Sequence, residues 1–136
     1  MTQIVMEGLS LSEEEAGLFK NEQGLAATDP KAAHVREALE KIAASLADEV
    51  ARHYHFWDTR RNEHGERVTP VGQVFLVGGS ANLRGLTDYV AGKIHAPTER
   101  PNVWRNIASF DDYIPPIDRR SSLQFATAIG LALRSL

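Results

Sequence analysis

A double glycine followed by a serine, Gly78-Gly79-Ser80, is the stretch of this sequence whose residue types most favour contact with a small molecule. Four apolar residues, 74–77, precede this glycine turn, and a short polar step leads to a third glycine, Gly85. Because glycine has no Cβ, such a turn lets the backbone approach a flat or charged ligand closely. The pattern predicts ligand binding by backbone groups between a buried strand and the start of a helix.

Other chemistries find little support in the residue types. The glycines do not fit G-x-G-x-x-G and no Gly-Lys-Ser/Thr follows, so a dinucleotide fingerprint and a P-loop are both missing. Ser80 lacks the G-x-S-x-G context of a nucleophile, and the sequence has no cysteine. His53 and His55 lie two residues apart on a predicted helix and point in different directions, which argues against a shared metal ion. We expect no catalytic or metal-binding residue, and we interpret Arg60-Arg61 and Arg119-Arg120 as solvated loop residues.

The composition is that of an ordinary globular domain. The chain has 136 residues, of which 43% are apolar and 24% charged, which fits one domain with a modest core. The formal net charge of -3 gives no support for nucleic-acid binding. No apolar run approaches the roughly 18 residues of a membrane span, and the first residues lack the features of a signal peptide. We therefore expect a cytoplasmic protein, or one on the cytoplasmic face of a membrane.

Two predicted helices precede the glycine turn. Ser12 and Glu15 have the spacing of a capping box, which predicts a helix from there to about Gln23. Asp29-Pro30 is typical of a second helix start, and this helix is predicted to reach Trp57 or Asp58. Its apolar residues recur at steps of three and four, which predicts one buried stripe: Val35, Leu39, Ile42, Leu46 and Val50.

The elements after the turn are a helix, a short strand and a last helix. The helix is predicted over 82–95, with Leu83, Leu86, Val90 and Ile94 facing inward. A second strand is predicted at 96–100. Residues 121–134 form a helix pattern with almost no polar face, so we expect this last helix to be largely buried.

The predicted sheet has too few strands. Residues 74–77 do not alternate between apolar and polar types, which is typical of a strand buried on both faces of a parallel sheet. The candidate neighbours are 96–100 and Gln3–Met6. We therefore expect the sheet to be completed by a second copy, by another chain, or by the rest of a larger domain.

Four segments, taken in order, resemble the PilM-like proteins of type IV pilus assembly, which are relatives of FtsA in the actin-like ATPase superfamily. The segments are 9–20, with an acidic run before a lysine; 47–57, similar to the long helix before the adenosine strand; the adenosine motif at 78–86; and the closing helix at 125–134. The resemblance covers nearly the whole chain.

The resemblance implies a helix-rich α/β fold with a small, mostly parallel sheet. The chain would be a partial actin-like ATPase domain, equivalent to the second-lobe fragment that carries the adenosine-motif strand and helix. Residues 9–28 would belong to the outer subdomain of that lobe and residues 29–136 to its inner subdomain.

The resemblance also implies a set of binding residues for an adenine nucleotide. Gly78, Gly79 and Ser80 would lie against the nucleotide, with backbone amides near an inner phosphate or the sugar. Glu49 would accept a hydrogen bond from the ribose hydroxyls and Arg52 would lie over the base. The residues that would border the adenine are Ala81, Asn82 and Leu83. Alternatively, the glycines form only a turn, and Glu49 and Arg52 form an ordinary surface ion pair.

The implied function is that of a scaffold in type IV pilus assembly, on the cytoplasmic face of the inner membrane. ATP or ADP is the implied ligand, with Mg²⁺ expected only in a complete family member. The family's phosphate loops and catalytic acid have no counterpart here, so we expect no ATP hydrolysis by this chain alone. The implied partners are pilus inner-membrane assembly proteins or the remainder of the actin-like fold. The alternatives are an interaction module that pairs with itself or another chain, a small independent nucleotide-binding protein, and an FtsA-like or other actin-fold ATPase fragment.

Overall fold

The computed structural model describes residues 1–66, 68–105, 107 and 114–134. Its elements are α-helices, two short strands and four 3₁₀ turns, the latter at Gly24–Ala26, Pro30–Ala32, Gly79–Asn82 and Leu123–Phe125. In chain order the helices and strands are α1 (Thr2–Leu9), α2 (Glu13–Glu22), α3 (Ala33–Asp58), β1 (Val74–Phe75), α4 (Leu86–Ile94), β2 (Thr98–Glu99), α5 (Arg119–Ser122) and α6 (Ala126–Leu133). Within these residues no helix is both long and apolar enough to cross a membrane.

The predicted helix starts are confirmed by their capping contacts. The Ser12 hydroxyl accepts a hydrogen bond from the Glu15 amide at 3.3 Å, and the Glu15 carboxylate accepts one from the Ser12 amide at 2.9 Å. The Asp29 carboxylate accepts a hydrogen bond from the Lys31 amide at 2.9 Å and caps the 3₁₀ turn that leads into α3. These are local side-chain to backbone contacts, so sequence spacing alone determines them.

The core lies where α3 packs against α1 and α4, and α2, which packs against α1, adds Ala16 to it. The predicted stripe on α3 is partly wrong, because Ala43 and Ala47 are fully buried whereas Leu46 is 36% exposed. Residues four apart lie on one helix face, and small alanines let α4 approach α3 closely. The four apolar positions predicted to face inward in and before α4 are buried: Leu83, Leu86, Val90 and Ile94.

One hydrophobic cluster includes residues from both predicted subdomains. Ala16 of α2 belongs to the same cluster as Val35 and Leu39 of α3. The division of the chain at residues 28 and 29 stays a prediction.

The sheet consists of β1 and β2, which pair in parallel with Val74 opposite Thr98 and Phe75 opposite Glu99. The predicted second strand at 96–100 is confirmed. The other candidate neighbour, residues 3–6, was wrong because these residues belong to α1. Burial on both faces was also wrong: Phe75 and Val77 are each about half exposed. The helices of the described chain cover one face of β1, where Val74 and Leu76 contact the core.

The last helix differs most from its prediction. Residues 119–133 form α5, a 3₁₀ turn and α6, and none of the α6 residues is buried. Leu131 is 60% exposed and Leu133 is 42% exposed. An apolar pattern predicts that a helix needs a partner, but in the described part of the chain no element covers α6 on its outer side.

Candidate functional site

The glycine turn begins at a residue whose backbone conformation is accessible almost only to glycine. Gly78 has φ 94° and ψ 164°, a region that costs other residues roughly 1–3 kcal/mol. Its amide donates to the Leu123 carbonyl at 2.8 Å, which ties the turn to the segment before α6. This amide is therefore engaged within the chain, and the contact of Gly78 with a nucleotide stays a prediction. The amides of Gly79 and Ser80, at the start of a 3₁₀ turn, remain as donors for a ligand.

Gly79, unlike Gly78, has an ordinary backbone conformation and open space beside it. Its φ lies outside the left-handed region, and a Cβ built at this position would meet its nearest neighbour, the Gln124 Cβ, at 4.0 Å. Neither backbone strain nor packing within the chain requires glycine here. The space above Gly79 is thus accessible to a ligand.

Lys20 brings a buried cation to the same turn. Its ammonium group donates to the Gly79 carbonyl at 3.3 Å, and the residue is 8% exposed. Burial lowers the pKa of Lys20 below its ordinary value. Lys20 lies in a segment that resembles the family, but the sequence predicted no role for it. Its contact with Gly79 joins residues 59 positions apart, which sequence spacing does not reveal.

The end of α2 is fastened to the residues that follow the glycine turn. The Arg84 amide donates to the Lys20 carbonyl at 3.1 Å, and the Leu25 amide donates to the Arg84 carbonyl at 3.1 Å. The Arg84 guanidinium also donates to the Glu22 carbonyl at 2.7 Å. These contacts fix α2 and the start of α4 as one wall of the candidate site.

The three residues predicted to border adenine are buried in the structure. Ala81 and Leu83 pack into the interior. The Asn82 side-chain amide donates to the Arg120 carbonyl at 2.8 Å. Ser80 alone of the 80–83 segment is exposed. Their contact with adenine stays a prediction, and a ligand would meet this segment through its backbone and Ser80.

Glu49 and Arg52 lie on α3 and form an ion pair with each other. The Glu49 carboxylate is also 3.0 Å from His53 Nε2. Glu49 borders an apolar depression of about 270 Å³ that also includes Val74, at the start of β1, whereas the glycine turn follows the end of this strand. The contact of Glu49 and Arg52 with a nucleotide stays a prediction. The two side chains form the surface ion pair that the sequence also allowed.

Two adjoining depressions lie beside the glycine turn. One has a volume of about 420 Å³ and is bordered by Asn82; the other has a volume of about 600 Å³ and is bordered by Leu83. They share Thr87, Arg100 and Arg120. Arg120 and Arg119 lie in α5, so the interpretation of this pair as loop residues was wrong. In the described ranges, no three histidine or acidic side chains come together as a metal site.

Comparisons with known proteins give the family of the chain and a solved structure with a similar fold. The family model described as type IV pilus assembly protein PilM matches residues 1–136. A chain of a solved structure, a PilM-PilN type IV pilus biogenesis complex, is similar with a TM-score of 0.63 and 22% sequence identity. The match covers 98% of this chain and 35% of that chain, so the helix-rich fold with its two-stranded parallel sheet fits part of an actin-like fold. No curated protein matches the sequence. The chain belongs to the PilM family of type IV pilus assembly proteins.

Proposed function

We propose that this chain forms the adenine side of a nucleotide site in a scaffold protein of type IV pilus assembly. The observation that carries the proposal concerns Gly79. Neither backbone strain nor packing within the chain requires glycine at this position, and the space beside it is open. ATP or ADP would lie with its sugar or base over Gly79 and Ser80. The buried Lys20 holds the Gly79 carbonyl in place and sets the electrostatic environment of the turn.

The proposed role of the chain is binding rather than catalysis. Phosphoryl transfer depends on groups that position phosphates and a metal ion, and we assign no residue of this chain to that task. Affinity would be in the millimolar range or weaker, because a contact restricted to base and sugar lacks charge-assisted bonds to the phosphates.

The proposed partner is another component of the pilus inner-membrane assembly, at the cytoplasmic face of that membrane. The family supports a role in pilus assembly, and the similar solved structure is a complex of a PilM with a PilN.

Calorimetry with ATP, ADP and adenosine tests the nucleotide proposal. We expect Gly79→Ala to weaken binding at least about fivefold while leaving the free energy of unfolding within about 0.5 kcal/mol of wild type, because its Cβ fills ligand space only. Gly72→Ala is the matched control, since Gly72 lies outside the turn and a Cβ there meets nothing within 4 Å. Equal affinity of the Gly79→Ala variant and wild type would reject contact at the turn.

Glu49 and Arg52 are tested in the same titration. If they contact the ribose and the base, Glu49→Gln and Arg52→Gln weaken adenosine binding; if they form only a surface ion pair, adenosine binds these variants as it binds wild type.

A second candidate function, an interaction module, is favoured by the exposed side of β1. Phe75 and Val77 are half exposed there, and in the described chain β1 pairs with β2 alone. A further strand could pair with this outer edge through backbone hydrogen bonds.

A further inference from the structure

Three arginines surround the depression of about 420 Å³ beside the glycine turn, which we call the arginine cavity. Arg100 follows β2, while Arg119 and Arg120 occupy the first turn of α5. The cavity is also lined by Asn82, Thr87 and Glu99. The whole chain carries a formal net charge of -3, so this concentration of guanidinium groups reverses the overall sign locally.

Among the residues that the structure describes, no ion pair neutralises the positive charges of the cavity. Three arginines and one acidic residue, Glu99, line it, which gives its lining residues a formal excess of two positive charges. Within the described residues none of the three arginines forms an ion pair with a carboxylate. Asp118 interacts electrostatically with Arg120, but its oxygens accept hydrogen bonds from the backbone of α5.

The backbones that carry these arginines are firmly held. Asp118 caps α5 by accepting from the Arg120 amide at 2.7 Å, and the Asn82 side chain donates to the Arg120 carbonyl at 2.8 Å. On the other side, the Glu99 carbonyl accepts from the Leu76 amide at 2.9 Å, which fixes the residue before Arg100. Two anchored elements thus contribute three arginines to the lining of one cavity.

We propose that the arginine cavity is a binding site for a phosphate group, either inorganic or on a small ester. Planar guanidinium groups donate paired hydrogen bonds that match phosphate oxygens, and the Thr87 hydroxyl adds a further polar group. The adjoining depression contains Glu22 and Asp88, whose carboxylates oppose an anion. The favourable region for an anion is therefore the arginine cavity and not the adjoining depression. This inference does not rest on the nucleotide contact at Gly79.

The site is tested by titrating the full chain with inorganic pyrophosphate at low salt, with calorimetry or NMR as the readout. We expect a dissociation constant of about 1 mM or below, weakening as salt rises. Arg100→Gln and Arg120→Gln are each expected to weaken binding about tenfold. Glu99→Gln is expected to tighten it about twofold to fivefold, because a repelling charge is removed. Arg61→Gln removes an arginine from another part of the chain and serves as the control.

The opposite signs expected for the Arg100 and Glu99 variants separate a local site from a folding defect. The proposal fails if pyrophosphate at about 10 mM gives no signal, or if Arg61→Gln weakens binding as much as Arg100→Gln. Ribose 5-phosphate and inorganic phosphate, titrated separately, distinguish an ester from a free anion. Adenosine, which has no phosphate, tests the nucleotide contact at Gly79 alone. The results can therefore contradict the phosphate site and the nucleotide contact independently of each other.

Discussion

Gly78 and Gly79 are neighbours in the sequence with different physical roles. Position 78 requires glycine because its φ is 94°, and its amide donates a hydrogen bond to the Leu123 carbonyl. Gly79 has an ordinary φ and open space above it, so ligand approach is the reason we infer for glycine there. The sequence predicted the position of the turn but not this division, because φ and the Leu123 contact depend on how α5 and α6 pack.

Lys20 gives the residue-scale prediction. Because burial lowers the pKa of Lys20 in the folded state, the unfolded chain binds this proton more tightly than the folded chain. The charged amine therefore costs folding free energy below the folded pKa, and stability rises as pH passes from that value to the ordinary pKa of 10.5. We expect wild type to gain stability relative to Lys20→Met over this alkaline range, as measured by urea unfolding.

The matched control for this experiment is Lys31→Met, since Lys31 is exposed. Its stability difference from wild type is expected to stay constant over the same pH range. Parallel curves for wild type and Lys20→Met would show that the Lys20 amine is not desolvated in the folded protein.

At the scale of elements, the ends of helices could be predicted from nearby residues, whereas the residues that pack between helices could not. The Ser12–Glu15 capping box and the end of α3 at Asp58 follow from residues within a few positions of each other. The burial of Ala43 in place of Leu46 depends on where α4 lies. The contact of Lys20 with the turn could not be predicted for the same reason. Lys20 and Gly79 are 59 residues apart in the sequence, and hydrophobic periodicity does not detect contacts at that separation.

The junction between α2 and the glycine turn gives the element-scale prediction. Gly24 has φ 46°, and a Cβ there would lie 2.9 Å from the Arg84 carbonyl oxygen and 2.9 Å from a Leu83 methyl. Gly24→Ala is therefore expected to cost about 2–4 kcal/mol through backbone strain and overpacking. Gly17, inside α2, has nothing within 4 Å of its Cβ position, so Gly17→Ala is expected to stabilise by about 0.5–1 kcal/mol.

Urea unfolding followed by circular dichroism measures both variants. The same substitution is expected to give opposite signs at these two positions, which lie close together in the sequence. A Gly24→Ala variant as stable as wild type would mean that α2 and the residues after the turn are not in close contact.

At the scale of the whole molecule, apolar surface remains uncovered on two elements. Phe75 in β1 and Val77 just after this strand are half exposed, and Leu131 is 60% exposed on α6. The chain spans 35% of the length of the similar PilM chain. The apolar patterns of 74–77 and 121–134 predicted buried segments, but within the described residues both leave large apolar side chains exposed. That a partner covers them stays a prediction.

Self-association is the expected consequence of this surface. A strand with an open edge and half-exposed apolar side chains pairs readily with another chain, so we expect the average mass in sedimentation equilibrium to rise with concentration. The double variant Phe75→Thr/Val77→Thr keeps residues that suit a strand but removes much of the apolar area. It should therefore remain monomeric at concentrations where wild type associates. Leu18→Gln, at a 54% exposed site on α2, should associate as wild type does. A wild-type chain that is strictly monomeric and unfolds cooperatively would contradict the interaction-module alternative and leave the nucleotide scaffold as the function to pursue.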